Sequence, residues 1–157
     1  MISLIHEEPL EKEFKKTVAA QKKWYGAIHV IVTDFLKKSP RQLQEMYDIS
    51  VILVSERKMR ELYTAYKGVN RVTDVLSFFY DKAKEEKHSQ GELFICLTQV
   101  LRQARRYRVS PIQEVARLAI HGFLHIYGYD HQKKHERVVM RSLERSLFRL
   151  CKKEHLI

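Results

Sequence analysis

Apolar residues recur at helical intervals from about Leu10 to Phe35, where Phe14, Val18, Tyr25, Ile28, Val32 and Phe35 share a side and Gly26 interrupts the stretch. Before it, Ile2 and Leu4 alternate with Ser3, the pattern of a short strand. Ser39-Pro40 closes the helical stretch, because a proline pushes its predecessor out of the α region. DISVILVS (48–55) is apolar and β-branched and predicts a buried strand. Ser55 suits the N-cap of a helix with Met59, Leu62, Tyr63 and Tyr66 inward and Gly68 at its end. TDVLSFFY (73–80) and GELFICL (91–97) predict two further strands. In the second, Leu93, Ile95 and Leu97 alternate with Phe94 and Cys96, so both faces are apolar, as a central strand requires. DKAKEEKHSQ between them reads as an exposed connection. Helices are expected at about 98–109, 111–127 and 133–153. The expected fold is α+β with α/β-type layers: a small mixed, mostly parallel sheet of about four strands, packed with about five helices.

The 157 residues suit one core, and no shift in composition divides them, so residues 1–157 read as a single domain. No apolar run approaches the length of a membrane span. MISLIHEEPLEKEF turns acidic by Glu7 and lacks the basic start and apolar centre of a signal peptide. Cys96 and Cys151 have no paired spacing and read as reduced thiols, which points to the cytoplasm. The formal net charge of +10 favours polyanions such as nucleic acid, the ribosome or an acidic membrane surface. The same charge also serves solubility.

The chemistry is concentrated in HGFLHIYGYDH, residues 121–131. Ser110, Pro111 and Gln113 form a helix start with a capping box, and Ile112, Val115, Ala116, Ala119 and Phe123 continue the apolar face. His121 and His125, at i and i+4, project from one side, near a helix C-terminus whose partial negative charge favours a cation. Gly128 can take a positive φ, stop the helix and return His131 toward the other two. Two histidines at this spacing are more often surface residues than ligands. The third, after a glycine turn, makes H-x3-H-x5-H a metal site on the late helix and following turn, with one Zn2+ per chain and one tetrahedral position open for catalysis. His135 is a weaker competitor, read as solvated, and His6, His29, His88 and His155 lack a ligand context. Three neutral imidazoles leave zinc its full charge, which acidifies bound water for attack on a carbonyl, phosphodiester or C–N bond. Gly122 stands where metzincin proteases carry a glutamate base, so peptides are disfavoured, and the basic chain suits an anionic phosphodiester. Gly122 itself is explained by close strand packing or by access to the metal. Asp130 either orients an imidazole or caps the final helix.

The same stretch resembles the signature of the YbeY endoribonucleases, the rRNA maturation factors. YKGVNRVTDVLSFF (66–79) and GELFIC (91–96) are similar to the family's upstream segments, and Met140, Leu143 and Glu144 fit its final helix. These matches run in order over roughly residues 46–147. The resemblance implies a zinc-dependent, single-strand-specific endoribonuclease of 16S rRNA maturation and ribosome quality control, in contact with the small ribosomal subunit. It implies His121, His125 and His131 as ligands and Lys67 as the basic residue beside the metal, where the family carries arginine. Lysine keeps the charge and loses the bidentate phosphate geometry. Phe79 replaces the family proline and Glu92 its aspartate.

Apart from the resemblance, Lys67 sits where a cation favours a helix C-terminus or holds a phosphate. Asn70, Arg71, Thr73, Asp74 and Ser77 either line the same cleft or serve the turn and strand. Arg102, Arg105, Arg106 and Arg108 form one basic patch, and Arg137, Arg141, Arg145, Arg149, Lys152 and Lys153 a second. Each is a solvated helix face or an RNA-backbone track. Together the readings expect catalysis by Lys67, His121, His125 and His131 and RNA contact by Lys67, Arg71, Arg102, Arg105 and Arg106. The alternative is a weakly or non-catalytic ribosome-assembly factor with the same fold.

Overall fold

The computed structural model describes residues 3–6, 24–38, 47–80 and 89–157. The helical expectation over Phe14 and Val18, most of the 81–90 connection and His88 lie outside them. Strand β1 (Ser3–His6), helix α1 (Trp24–Lys37), strand β2 (Tyr47–Val54) and helix α2 (Glu56–Lys67) come first. Strands β3 (Val75–Tyr80) and β4 (Ser89–Cys96) follow, then helices α3 (Leu97–Tyr107), α4 (Pro111–Ile126) and α5 (Lys134–Lys153). The sheet has the order β1-β2-β4-β3. β1–β2 and β2–β4 are parallel, and β3–β4 is antiparallel. This is the expected α+β architecture with a mixed, mostly parallel sheet.

β4 lies inside the sheet, and alternation along it sets the layers. Leu93 and Ile95 join Val51 and Leu53 of β2 in a core shared with α1, α4 and α5. Phe94 and Cys96 face the other way, with Ile52, Val54, Leu76 and Met59 of α2. Both faces are therefore covered, as the doubly apolar pattern requires. Leu97 departs from expectation: it opens α3 rather than closing the strand. Ser89 and Gln90, expected in the connection, extend β4, paired with Tyr47 and Asp48. Thr73 and Asp74 precede β3 rather than lying in it.

Ser55 caps α2 by accepting from the Lys58 N–H at 3.1 Å, and Gly68 ends the helix at φ 68°. Met59 is buried there, but Tyr66 is 54% exposed and not part of the inner face. At the end of α2 the Tyr66 ring meets Phe78 of β3 edge-on, with centroids 4.9 Å apart, and Tyr66 and Lys67 line the edge of a cleft.

Helix α4 carries two of the three histidines and is the most deeply seated helix among the described residues. The Ser110–Gln113 capping box is present, with Pro111 in the first turn. Val115, Ala116, Leu118, Ala119, Ile120, Phe123 and Leu124 are all buried. Gly122 settles the packing question: a Cβ there would collide with the Leu93 side chain, whose Cγ would be 3.1 Å away. The helix therefore lies directly on β4, which fixes the height of His121 and His125 above the sheet edge.

Candidate metal centre

The last turn of α4 and the turn after it bring three imidazoles together. His121 and His125 follow from helical spacing. Gly128, at φ 79°, reverses the chain as its own N–H bonds the His125 carbonyl at 3.0 Å and that of Tyr129 the Leu124 carbonyl at 2.9 Å. His131 then returns over the helix end. The ring centroids of His121–His125, His125–His131 and His121–His131 are 4.6, 5.1 and 5.5 Å apart. One nitrogen from each ring lies within 4.8 Å of the others, so the three could hold a metal ion.

The donor set fits zinc. The Nε2 atoms of His121 and His125 are 3.1 Å apart. Two nitrogens at ~2.05 Å from a tetrahedral zinc stand about 3.3 Å from each other. Glu144 of α5 lies 2.6 Å from Nδ1 of His121. A carboxylate only accepts, so Nδ1 of the neutral ring carries the proton and Nε2 presents its lone pair to the centre. Burial lowers the His125 pKa, the charges of His121 and His131 lower it further, and Asp130 and a Tyr129 backbone bond only partly oppose them. The neutral imidazole, the form that binds metal, is thus favoured. Burial alone would raise the Glu144 pKa. The hydrogen bond from His121, with the charges of His121, Arg117 and His131, outweighs it and holds the carboxylate ionised.

A cleft of about 680 Å³ opens over the histidines. Lys67, Thr73, Ser77 and Gln132 line it, with the rings of Tyr66 and Phe79. The Lys67 ammonium lies 4.6 Å from the Tyr66 ring centroid. Lys67 and the three histidines, far apart in sequence, therefore share one cavity. Asp74 also lines it, but its carboxylate accepts from the Val75 N–H at 3.0 Å and from Gln103 at 3.0 Å, so it holds the strand entry.

Other expected residues lie elsewhere. Asn70 and Arg71 are exposed and do not line the cleft. Arg102 pairs with Glu56 at 3.1 Å, Arg106 lies against the Tyr107 ring, and Arg105 sits in the last turn of α3. Asp130 lines the cleft and accepts from the His131 backbone N–H at 2.7 Å; the N-cap position of α5 is taken by Lys133, whose backbone N–H donates to Glu136 at 3.1 Å. His135 and His155 are exposed, and His29 is buried with its Nε2 2.7 Å from the Tyr127 hydroxyl. Two residues next to the centre carried no expected role there: Arg117, four positions before His121, and Glu144 as the partner of His121. Helical spacing alone puts Arg117, His121 and His125 on one face of α4.

The family model for endoribonuclease YbeY matches residues 10–152. The endoribonuclease YbeY of Thermodesulfovibrio yellowstonii is 35% identical over 142 residues, covering 85% of this chain and 89% of its own length. That of Finegoldia magna is 36% identical over 122 residues, covering 73% and 80%. A solution structure of a Thermotoga maritima protein aligns with 99% of this chain and 95% of its own, at a TM-score of 0.53 and 22% identity, a likeness of fold.

Proposed function

Since the chain belongs to the YbeY endoribonuclease family, we propose that it is a zinc-dependent, single-strand-specific endoribonuclease of 16S rRNA maturation and ribosome quality control, acting with the small subunit in the cytoplasm. The observation that carries this reading is the convergence of His121, His125 and His131 beneath a cleft that also holds Lys67. A bound zinc would supply Lewis-acid stabilisation of phosphoryl charge and acidify water at the open position. Glu144 orients His121, and the Gly128 turn sets His131. Lys67 neutralises a phosphate oxygen, its ammonium held over the Tyr66 ring. Tyr66 and Phe79 are 54% and 62% exposed at the cleft. Unpaired bases stack on such rings, whereas bases within a duplex cannot reach them. Arg71, Arg102, Arg105 and Arg106, outside the cleft, add long-range attraction for the RNA backbone.

The deciding experiment joins metal analysis to cleavage of single-stranded RNA, for the wild type and His121→Ala. About one zinc per chain is expected from a three-histidine site, with cleavage, and both should be lost in the variant. Metal-free native protein would overturn the site. Zinc without cleavage would favour the assembly-factor reading, which one feature supports: Lys67 lacks the fork of an arginine. A large gain of cleavage in Lys67→Arg would show that the native site has moved toward binding.

A further inference from the structure

Behind the histidines lies a second cavity, of about 310 Å³, lined by Arg117, Arg137, Arg141 and Glu144. It shares His121 and His131 with the larger cleft, so a strand lying over the triad enters both. Resting on the nuclease reading above, we propose that this cavity is a backbone-phosphate subsite, seating the phosphate next to the one at the metal centre.

The charges in the cavity are unequally answered. Arg117 is neutralised by the buried Glu114, at 2.6 Å, and lies 4.0 Å from Asp74. Glu144 is engaged by His121. Arg137 donates its Nε–H to the His131 carbonyl at 3.3 Å, which aims the side chain and leaves both terminal amino groups available. The Arg141 guanidinium has no ion pair or hydrogen bond among the described residues; its carbonyl accepts from the Arg145 Nε–H. Two guanidiniums without carboxylate partners among the described residues therefore face a concavity at the edge of the triad. Their planar forks match phosphate oxygens, and neighbouring phosphates are what an RNA strand offers on either side of a cleaved bond. The third member, Arg117, is a fixed wall whose orientation Glu114 sets.

The test compares wild type, Arg137→Gln/Arg141→Gln and the control Arg149→Gln/Lys153→Gln, which removes the same charge from α5 outside the cavity. Zinc-loaded protein is assayed on the dinucleoside monophosphate UpU and on UpUpU, which adds one flanking phosphate. Binding of a labelled single-stranded oligothymidine decamer is followed as salt rises. The wild type and the control should process UpUpU with a kcat/KM about tenfold above that for UpU, the worth of one charged hydrogen-bonded contact. In the cavity variant that ratio should fall toward one. Its log–log salt slope should shrink by about 0.7, the share of one single-strand phosphate. A preserved ratio with normal cleavage overturns the subsite and leaves the nuclease reading standing. If wild-type protein cleaves neither substrate, the nuclease reading falls and the slope decides alone. A slope that is unchanged, or equally changed in the control, overturns the subsite. Inhibition by inorganic phosphate without any gain from the flanking phosphate would mark a free-anion site and overturn it as well.

Discussion

A single carboxylate decides how His121 presents itself. Without Glu144, 2.6 Å from Nδ1, either nitrogen of the ring could carry the proton and the ring could turn. With it, Nε2 points at the centre in its unprotonated form. Glu144→Gln keeps the size and an acceptor oxygen but removes the charge that makes the ring a stronger donor. Zinc affinity, measured by chelator competition, should fall between about tenfold and a hundredfold, the usual effect of losing such a partner. Unchanged affinity would mean that α4 alone orients the ring. The chemistry at this scale was legible where it is local: i, i+4 histidines and a glycine turn are properties of adjacent residues. Glu144 was not, because it arrives from another helix and nothing in the local sequence of α5 states which of its faces meets α4.

Elements read well where their signals are short-ranged and less well where packing overrides them. The Ser55 and Ser110 caps, the stop at Gly68 and the central position of GELFICL all followed from local stereochemistry and alternation. Leu97 and Ser89 were misplaced because a boundary between strand and helix depends on pairing partners, here Tyr47 through Val54 of β2. The basic helices show the same division. Arg137, Arg141 and Glu144 form an i, i+4, i+7 stripe visible in the sequence, yet only the docking of α5 on α4 turns that stripe toward the histidines. Gly122 is one contact through which α4 meets the sheet. In Gly122→Ala the new methyl meets Leu93, which is fully buried. Overpacking of this kind costs about 1–3 kcal/mol, against ~1 kcal/mol gained from helix propensity. The variant should unfold at lower urea and bind zinc more weakly, since α4 must lift. Adding Leu93→Val should restore much of both. A Gly122→Ala protein as stable as the wild type would refute this account of the interface.

For the whole molecule, the seam between the N-terminal half and the metal helix sets how the fold meets acid. His29 of α1 is 9% exposed, lies 5.3 Å from the Phe123 ring and has its Nε2 2.7 Å from the hydroxyl of Tyr127, two residues beyond His125. Burial, only partly countered by Asp48, lowers its pKa from 6.5 to about 4. The folded protein therefore holds this imidazole neutral over a range where the unfolded chain protonates it. Between pH 6.5 and about 4 the unfolded state binds more protons, so stability rises with pH across that window and is level above it. Acidification through the window removes on the order of 3 kcal/mol, a large part of the stability of a domain this size. His29→Gln retains a group able to bond Tyr127 and cannot take up a proton. Its stability, measured by urea unfolding from pH 7.5 to 4.5 without added metal, should depend less on pH than that of the wild type. The difference between the two should grow as pH falls below 6.5, because every other group is common to both proteins and cancels. Parallel curves would mean that His29 is not the acid-sensitive joint. The expected divergence would place the weak point of the fold at the contact joining α1 to the end of α4, so that acid loosens the helix carrying His121 and His125 from its support.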